Sequence, residues 1–292
     1  MLKPFELCEP TTVAEASGLL ARYGEEARIY AGGTELILAM KMGLLHYDHL
    51  VNIKGIAGLG GVRFDAGANA LRIGGAATHR EIERSPAVRE RFPAIAEMET
   101  HVANVRVREA GTIGGNLCFA EPHADPGTLF QVYDAQVTLE KAGRKRALFL
   151  EKLFVGSFEV ALEGDEVLSE VTIPALPPRM VAAYLKFGIL ERPSVGVAVA
   201  VGLNGGGVTD ARIAVGCVGP VPRRMREAEA MLVGKSLAEA EALLPAAGEA
   251  AGRASQAVSD LHGSAEYKEH IVKVLIGRAF RAAMQQLGTS SP

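Results

Sequence analysis

The chain has 292 residues, of which 48% are hydrophobic and 22% are charged, and its formal net charge is −3. This profile is typical of a soluble globular protein and argues against nucleic acid or an anionic membrane as a partner. No stretch approaches the roughly 18 apolar residues of a membrane span, and the amino terminus lacks a signal-peptide pattern. Cys8, Cys118 and Cys217 are far apart in sequence, which favours free thiols and a cytoplasmic location.

The first 56 residues follow the pattern of a compact β–α–β-like unit. Thr12 and Glu15 form a capping-box pattern, in which a hydroxyl and a carboxylate satisfy free backbone N–H groups, and Gly24 offers a stop for the helix that follows. Short apolar runs then indicate strands, and a leucine-rich run indicates a helix. In chain order we expect a strand at 28–30, a glycine segment at 31–35, a helix at 36–42 and a strand at 49–53.

The region from 57 to 175 changes to hairpins and helices. Residues 65–69 have the composition of a hairpin turn and lie between two apolar runs. Gly143 likewise predicts a turn between two later strands. Thr78 and Glu81 form a second capping box. In chain order we expect a hairpin at 62–73, a helix at 86–99, a second glycine segment at 111–116 and a hairpin at 136–150.

Pro174, Pro177 and Pro178 separate this region from a carboxyl-terminal part. Because strands and helices occur in runs rather than in strict alternation, the sequence favours an α+β protein in three parts, at 1–56, 57–175 and 176–292. In the last part we expect strands at 184–189, 195–201 and 212–215, a tight turn at 204–207, and helices after 222 that end in one long amphipathic helix.

Several patterns that suggest chemistry are incomplete. Gly234–Ser236 ends like a phosphate-binding P-loop, but Glu229 stands where that motif requires its first glycine. His46 and His49 have no cluster of Cys, Asp or Glu near them in sequence that completes a metal shell. There is no G-x-G-x-x-G after a strand, no Cys-x-x-Cys pair and no nucleophile beside a base. The sequence therefore nominates no catalytic residue and no metal ligand.

The two glycine segments, at 31–35 and 111–116, are the remaining sequence feature that suggests a binding site. Residues without a β-carbon let a ligand approach the backbone and permit a positive φ. Successive N–H groups in such a turn can form an anion-binding nest, and a following helix adds the positive end of its dipole. Two such segments suit a diphosphate held from two sides, with Thr34 and Thr112 as hydroxyl donors. From the pattern alone, a purely conformational role for the glycines stays open, as does a turn or cap role for Asp125.

Two ordered motifs resemble the FAD signatures of the flavoprotein domain in the xanthine dehydrogenase family. They are Ala31-Gly32-Gly33-Thr34 and Gly111-Thr112-Ile113-Gly114-Gly115-Asn116, with Asp125 beyond. The resemblance covers nearly the whole chain: residues 71–76 and 85–89 are similar to the segment between the signatures, and 264–268 to the start of the last helix. It implies an α+β fold, with a two-subdomain FAD-binding domain of the molybdopterin-dehydrogenase type and a smaller α+β carboxyl-terminal domain.

The resemblance also implies which residues contact FAD. The first segment would wrap the pyrophosphate, the second would close on it, and Asp125 would contact the sugar-alcohol portion. Leu168 and Lys186 would lie near the isoalloxazine, with a buried core leucine and a surface lysine as the alternatives. The implied cofactor-binding residues are Ile29, Tyr30, Ala31, Gly32, Gly33, Thr34, Glu35, Leu36, Val102, Thr112, Ile113, Gly114, Gly115, Asn116, Asp125, Leu168 and Lys186. The family's Ile-Arg-Asn-Arg-Gly run before the second segment is only partly kept, in Arg108 and Gly111.

By the same resemblance, the chain is the FAD-binding electron-transfer subunit of a molybdenum hydroxylase, of the carbon monoxide dehydrogenase medium-subunit type. Substrate would be hydroxylated at a molybdenum cofactor in a large partner subunit, and electrons would pass through [2Fe-2S] clusters of a small subunit to FAD and then to an external acceptor. The implied assembly is a dimer of heterotrimers. Two alternatives stay open: a self-sufficient FAD-dependent oxidase or dehydrogenase, and a non-catalytic binding module that has lost FAD. Carbon monoxide, aldehydes, N-heterocycles and aromatic thioesters all fit as substrates of the complex.

Overall fold

The computed structural model describes residues 2–188 and 192–289. Contacts within the chain divide it into two units, each with its own core. The first unit is Met1–Ala120 with Gln136–Ile173, and the second is Glu121–Ala135 with Pro174–Pro292. The further division of the chain at residue 56 stays a prediction. No helix in the described ranges combines the length and apolar character that crossing a bilayer requires.

A parallel three-stranded sheet opens the first unit. Its strands are β1 (Glu6–Cys8), β2 (Ala27–Tyr30) and β3 (His49–Asn52), in the order β1-β3-β2, and its helices are α1 (Val13–Tyr23) and α2 (Leu36–Lys41). Helix α1 begins as predicted, because the Glu15 N–H donates to the Thr12 hydroxyl (3.1 Å). The Glu15 carboxylate accepts from the N–H of Thr11, not Thr12, so the capping box is displaced by one residue. Ala16 and Leu20 of α1 pack with Val51 of β3 in a buried core.

The first unit also contains a five-stranded sheet. Two predicted hairpins supply four of its strands, and the fifth lies between them. The strands are β4 (Val62–Asp65), β5 (Ala70–Gly74), β6 (Gln136–Lys141), β7 (Arg144–Phe149) and β10 (Val167–Pro174), in the order β4-β5-β10-β6-β7. A small two-stranded sheet, β8 (Phe154–Gly156) and β9 (Glu159–Val160), precedes β10. Gly143 makes the turn of the second hairpin with a φ of +81°.

Five short helices lie between the two hairpins of the first unit. They are α3 (His79–Arg84), α4 (Pro86–Arg91), α5 (Pro93–Thr100), α6 (Val105–Ala110) and α7 (Ile113–Phe119). The capping box of Thr78 and Glu81 is complete. The helix predicted at 86–99 is confirmed except for a break: α4 ends at Arg91, its C-cap Phe92 has a φ of −133°, and a new helix begins at Pro93. Proline lacks an N–H and is well tolerated only in the first turn of a helix, which explains the break.

The second unit is a four-stranded antiparallel sheet with helices. Its elements are α8 (Pro126–Val132), β11 (Met180–Phe187), β12 (Val195–Asn204), β13 (Gly207–Gly216), β14 (Arg223–Arg224), α9 (Arg226–Leu232), α10 (Leu237–Ala254) and α11 (Ala265–Thr289). The strand order is β11-β12-β13-β14. Alternate residues of β12 from Val195 to Val201 share a core with Leu244 of α10 and Ile276 of α11. Strands β11 to β13 extend beyond their predicted bounds, and Ile189, expected in the first of them, lies outside the described residues.

Candidate functional site

The first glycine segment joins β2 to α2 in a turn that only glycine permits. Gly33 has a φ of +69°, and a β-carbon on it would lie 2.5 Å from the ring of Tyr30. The Gly33 carbonyl accepts from the Ile37 N–H (3.0 Å), which starts the first turn of α2. A side chain at Gly33 would therefore be strained by the backbone conformation and would also collide with Tyr30.

The structure brings the two glycine segments together. A β-carbon on Gly32 would lie 2.4 Å from the carbonyl oxygen of Ala110 and 2.6 Å from the Cα of Gly111. A β-carbon on Gly111 would in turn meet the Thr34 hydroxyl at 3.4 Å. The backbone at Gly32 is therefore so close to the backbone at Ala110 and Gly111 that residue 32 cannot have a side chain. The two glycine segments, which are far apart in sequence, lie next to each other in the first unit.

The second glycine segment is the start of a helix and not a loop, which corrects the sequence-based expectation. Helix α6 ends just before it, and α7 begins at Ile113 with Thr112 as its N-cap. The predicted nest of outward-facing N–H groups is also wrong for this segment, because four successive N–H groups donate within the protein. The bonds are Ile113 N–H to Ala77 O (2.9 Å), Gly114 N–H to Gly75 O (2.9 Å), Gly115 N–H to Thr112 Oγ1 (3.1 Å) and Asn116 N–H to Thr112 O (2.9 Å).

The polar atoms that this segment does offer a ligand belong to side chains. Within the described residues, the Asn116 Oδ1 atom is buried and has no hydrogen-bond partner. A buried carboxamide group without a partner costs free energy, so it indicates a site for a molecule with a polar group. The Thr112 hydroxyl accepts from Gly115, which leaves its hydrogen available for donation.

Leu168 is connected to the second segment through Gly75. A β-carbon on Gly75 would lie 2.0 Å from the Leu168 carbonyl oxygen, and one on Gly114 would lie 2.5 Å from the Gly75 carbonyl oxygen. Three backbone stretches therefore stack at this place without intervening side chains. Leu168 itself is buried. Sequence reasoning did not nominate Gly75 as a site residue, although the pair Gly74-Gly75 was a signal for close backbone packing.

The other nominated residues of the first segment lie at the ends of the elements it joins. Ala31 is buried in the core of the parallel sheet, and Ile29 packs against the same core. Tyr30 ends β2. Glu35 occupies the N-cap position of α2, which Leu36 begins. These residues fix the position of Gly32 and Gly33.

Val102 lies between α5 and α6 and is bonded to α6 through Arg108. The Val102 carbonyl accepts from Arg108 Nη1 at 3.0 Å, and Arg108 Nε donates to Glu83 at 3.2 Å. Burial raises the pKa of Glu83, but the hydrogen bond from Arg80 and the charges of Arg80 and Arg108 outweigh it, so that this pKa lies below its usual value. Arg108, the arginine that this chain shares with the family's Ile-Arg-Asn-Arg-Gly run, is thus paired with Glu83 within the first unit.

In the second unit, the buried Asp125 forms a polar cluster with the half-buried side chains of Tyr184 and Lys186. Asp125 accepts from the Tyr184 hydroxyl at 2.7 Å and from Lys186 Nζ at 2.9 Å. Burial, followed by the charge of Asp125, raises the pKa values of Tyr184 and Cys217 well above their usual range. The Lys186 side chain is 22% exposed, so it is only partly accessible to solvent. Tyr184 was missed by sequence reasoning, although its position two residues before Lys186 puts both side chains on one face of β11.

Two incomplete motifs have structural roles or partners. Ser236 is the N-cap of α10 and forms a complete capping box with Glu239, which accounts for the residues that resembled the end of a P-loop. His46 Nε2 lies 3.1 Å from Asp48. His49, however, lies beside Glu6 and Cys8, which sequence reasoning overlooked because the three residues of β1 were not predicted as a strand.

The chain matches known proteins along nearly its whole length. Residues 3–176 match the family described as FAD binding domain in molybdopterin dehydrogenase, and residues 192–283 match the CO dehydrogenase flavoprotein C-terminal domain. The carbon monoxide dehydrogenase medium chain of Hydrogenophaga pseudoflava is 32% identical, with 97% of this chain and 98% of that one covered. The nicotine 6-hydroxylase medium subunit of Paenarthrobacter nicotinovorans is 30% identical, with 95% and 96% covered. The fold is similar to the carbon monoxide dehydrogenase structure from H. pseudoflava, with a TM-score of 0.93, 32% identity, and 98% and 99% of the two chains covered.

Proposed function

Because the chain belongs to the family of FAD-binding domains in molybdopterin dehydrogenases, we propose that it is the FAD-binding electron-transfer subunit of a molybdenum hydroxylase complex. The relatives named as medium chains or medium subunits support this role, since this chain covers nearly all of their length. Its partners are then a large subunit with the molybdenum cofactor and a small subunit with [2Fe-2S] clusters, in a cytoplasmic dimer of heterotrimers.

The observation that carries the proposal is the approach of Gly32 to Ala110 and Gly111. Two segments that are 78 residues apart in sequence meet there, backbone to backbone, in the order of the two FAD signatures. The orphaned Asn116 Oδ1 lies in the second of them. A bound dinucleotide with hydroxyl groups would supply the missing donor, so the residues present fit FAD.

The proposed contacts follow from what each segment offers. Gly32, Gly33 and Thr34 would hold the pyrophosphate with backbone and hydroxyl groups, together with their neighbours Ile29, Tyr30, Ala31, Glu35 and Leu36. From the second segment, the side chains of Thr112 and Asn116 would bind polar groups, while Ile113, Gly114 and Gly115 let the cofactor approach. Val102, Leu168, Asp125 and Lys186 complete the proposed set.

FAD, when bound, would supply the redox chemistry for electron transfer between iron–sulfur clusters of a partner subunit and an external acceptor. The contribution of this chain is to bind and orient it. The Asp125 carboxylate, which is held by Tyr184 and Lys186, fixes the position of the Lys186 ammonium group. A positively charged group held in this way favours negative charge in its neighbourhood.

FAD binding is tested by three variants that are expressed and purified in parallel. Gly32→Ala is expected to lose flavin absorbance, whereas Gly55→Ala, whose β-carbon meets nothing within 4 Å, is expected to retain it. Asn116→Ala removes the orphaned carboxamide without adding bulk, so it is expected to weaken FAD retention while thermal unfolding shows a folded protein. Stoichiometric FAD in both Gly32→Ala and Asn116→Ala would contradict the site, and wild-type protein that takes up no added FAD would favour the module that has lost its cofactor.

Electron transfer is tested on the complex purified from the source organism with a tag on this chain. Candidate substrates from the classes of carbon monoxide, aldehydes, N-heterocycles and aromatic thioesters are added without air. We expect flavin absorbance to bleach in the complex and to stay unchanged when the same substrate meets the isolated chain. Bleaching and turnover by the isolated chain would instead show a self-sufficient flavoenzyme.

A further inference from the structure

Three side chains with different donor atoms lie together where β1 and β3 pair. Glu6 and Cys8 are two residues apart on β1, so their side chains are on the same face of the sheet. His49 is the register partner of Glu6 in the parallel ladder and projects from the same face. We refer to Glu6, Cys8 and His49 as the β1–β3 cluster.

The β1–β3 cluster brings three atoms that can bind a metal ion close together. A carboxylate oxygen, the Cys8 sulfur and a ring nitrogen of His49 all lie within 4.8 Å of one another. His49 Nδ1 and Glu6 Oε2 are 3.3 Å apart. Tetrahedral zinc with bonds of about 2.0–2.3 Å has its ligand atoms roughly 3.3–3.7 Å from one another, so this pair already has the required separation.

The imidazole of His49 is held in place, and its Nδ1 atom makes no hydrogen bond within the part of the chain that the structure describes. Its ring stacks on Tyr23 of α1, with centroids 3.7 Å apart and planes 16° apart. The Nδ1 atom is buried. A fixed ring whose buried Nδ1 atom faces the Glu6 carboxylate at 3.3 Å without a hydrogen bond is arranged as a metal ligand is.

We propose that the β1–β3 cluster binds Zn²⁺, through the Cys8 thiolate, the His49 Nδ1 atom and the Glu6 carboxylate. A thiolate and an imidazole select zinc over the hard cations Mg²⁺ and Ca²⁺, which prefer oxygen ligands only. Glu6 is largely exposed, so the ion can enter from solvent and a water molecule can take the fourth position.

None of the three residues of the cluster belongs to the proposed FAD site. Glu6 and His49 begin β1 and β3 and are level with Ala27 at the start of β2, whereas Cys8 ends β1 and is level with Ile29. The first glycine segment follows β2, after Tyr30. The ion would therefore join the amino-terminal strand to β3 and stabilise the folded state by binding to it alone.

The test is equilibrium dialysis of the FAD-loaded protein against Zn²⁺, with bound metal and FAD measured on the same samples. Wild-type protein is expected to bind one Zn²⁺ per chain and to unfold at a higher temperature with it. Cys8→Ala and His49→Ala are expected to weaken zinc binding by more than about tenfold, with FAD content unchanged. His46→Ala and Cys118→Ala, which alter a neighbouring histidine and a thiol outside the cluster, are expected to bind zinc like the wild type.

Cys8→Ala is the decisive variant, because it removes a small side chain and leaves the stacking of His49 on Tyr23 in place. Wild-type protein that binds no zinc, or Cys8→Ala protein that binds zinc as tightly as the wild type, would overturn the proposal. X-ray absorption at the zinc edge gives an independent readout. One sulfur ligand at about 2.3 Å is expected, and a shell of nitrogen and oxygen alone would also overturn it.

Discussion

The carbonyl oxygen of Leu168 faces Gly75 at a distance that excludes any side chain, since a β-carbon on residue 75 would lie 2.0 Å from it. Neither backbone can move aside cheaply. The Gly75 N–H donates to the carbonyl of Ser169 (2.9 Å), and the Gly75 carbonyl accepts from Gly114 (2.9 Å). Gly75 therefore couples strand β10 to the start of α7.

Replacement of Gly75 by alanine should disturb both stability and the proposed FAD site. We expect Gly75→Ala to lower the free energy of unfolding by about 1–3 kcal/mol or more, because the new methyl group overlaps backbone atoms. Urea denaturation followed by circular dichroism measures this, and flavin absorbance measures FAD retention. The matched control Gly55→Ala should change stability by less than about 0.5 kcal/mol. Equal stability of the two variants would show that this close approach is absent in solution.

The Tyr184 hydroxyl should contribute to the stability of the second unit. Tyr184→Phe leaves the buried Asp125 carboxylate with one donor fewer, so we expect a loss of about 1–3 kcal/mol in the free energy of unfolding. Tyr267→Phe changes a tyrosine that is 44% exposed, and the expected loss is below about 0.5 kcal/mol. Chemical denaturation measures the free energy of unfolding of both variants. Similar losses in the two would mean that the hydrogen bond from Tyr184 to Asp125 contributes little to stability.

Cys118 should make stability depend on alkaline pH. Burial raises the pKa of its thiol from 9.0 to about 12. Between these values the unfolded chain has lost the proton that the folded chain keeps, so the free energy of unfolding falls as the pH rises through this interval. Below pH 9 the contribution is complete. In guanidinium titrations from pH 8 to about 11, Cys118→Ala is expected to show a shallower fall than the wild type, whereas parallel curves would count against a raised pKa of this thiol.

Arg224 should be far more important for stability than an exposed arginine that also has an acidic partner. Its side chain is 5% exposed and donates to Glu229 (2.6 Å) and Asp134 (2.8 Å). Arg224→Met leaves the mostly buried Glu229 carboxylate with less compensation, and the expected loss is about 3–5 kcal/mol. Arg253→Met breaks an exposed pair with Glu249 and should cost less than about 0.5 kcal/mol. Thermal and urea unfolding compare the two, and similar losses would contradict the burial of Arg224.

Local chemistry in the sequence was enough to predict many elements of the fold. The capping box of Thr78 and Glu81 and the turn at Gly143 act through residues close in the chain, so their patterns could be read directly. The break before Pro93 was missed because proline at the first position of a new helix leaves the surrounding apolar pattern intact.

The candidate sites could not be predicted in full from local sequence patterns. Glycine has a low helix propensity, so Gly114 and Gly115 indicated a loop, yet the Thr112 cap and the bond from Gly114 to Gly75 place them in a helix. The β1–β3 cluster depends on pairing between residues more than 40 positions apart, which no local pattern contains. The contact of Tyr184 with Asp125 is equally remote in sequence.

The path of the chain between its two units limits how the protein can be divided. Every residue of α8 is buried, and this helix packs on β12 and β13, although it lies in sequence between elements of the first unit. The chain therefore changes units at residues 120, 135 and 173, so no single cut separates them. A protein shortened to its first 175 residues would retain α8 but lose the strands that cover it, and its apolar surface would make the fragment aggregate. A fragment designed to contain only the first unit has to replace residues 121–135 with a short linker as well as end near residue 173, and it would lack Asp125 and Lys186 of the proposed FAD site.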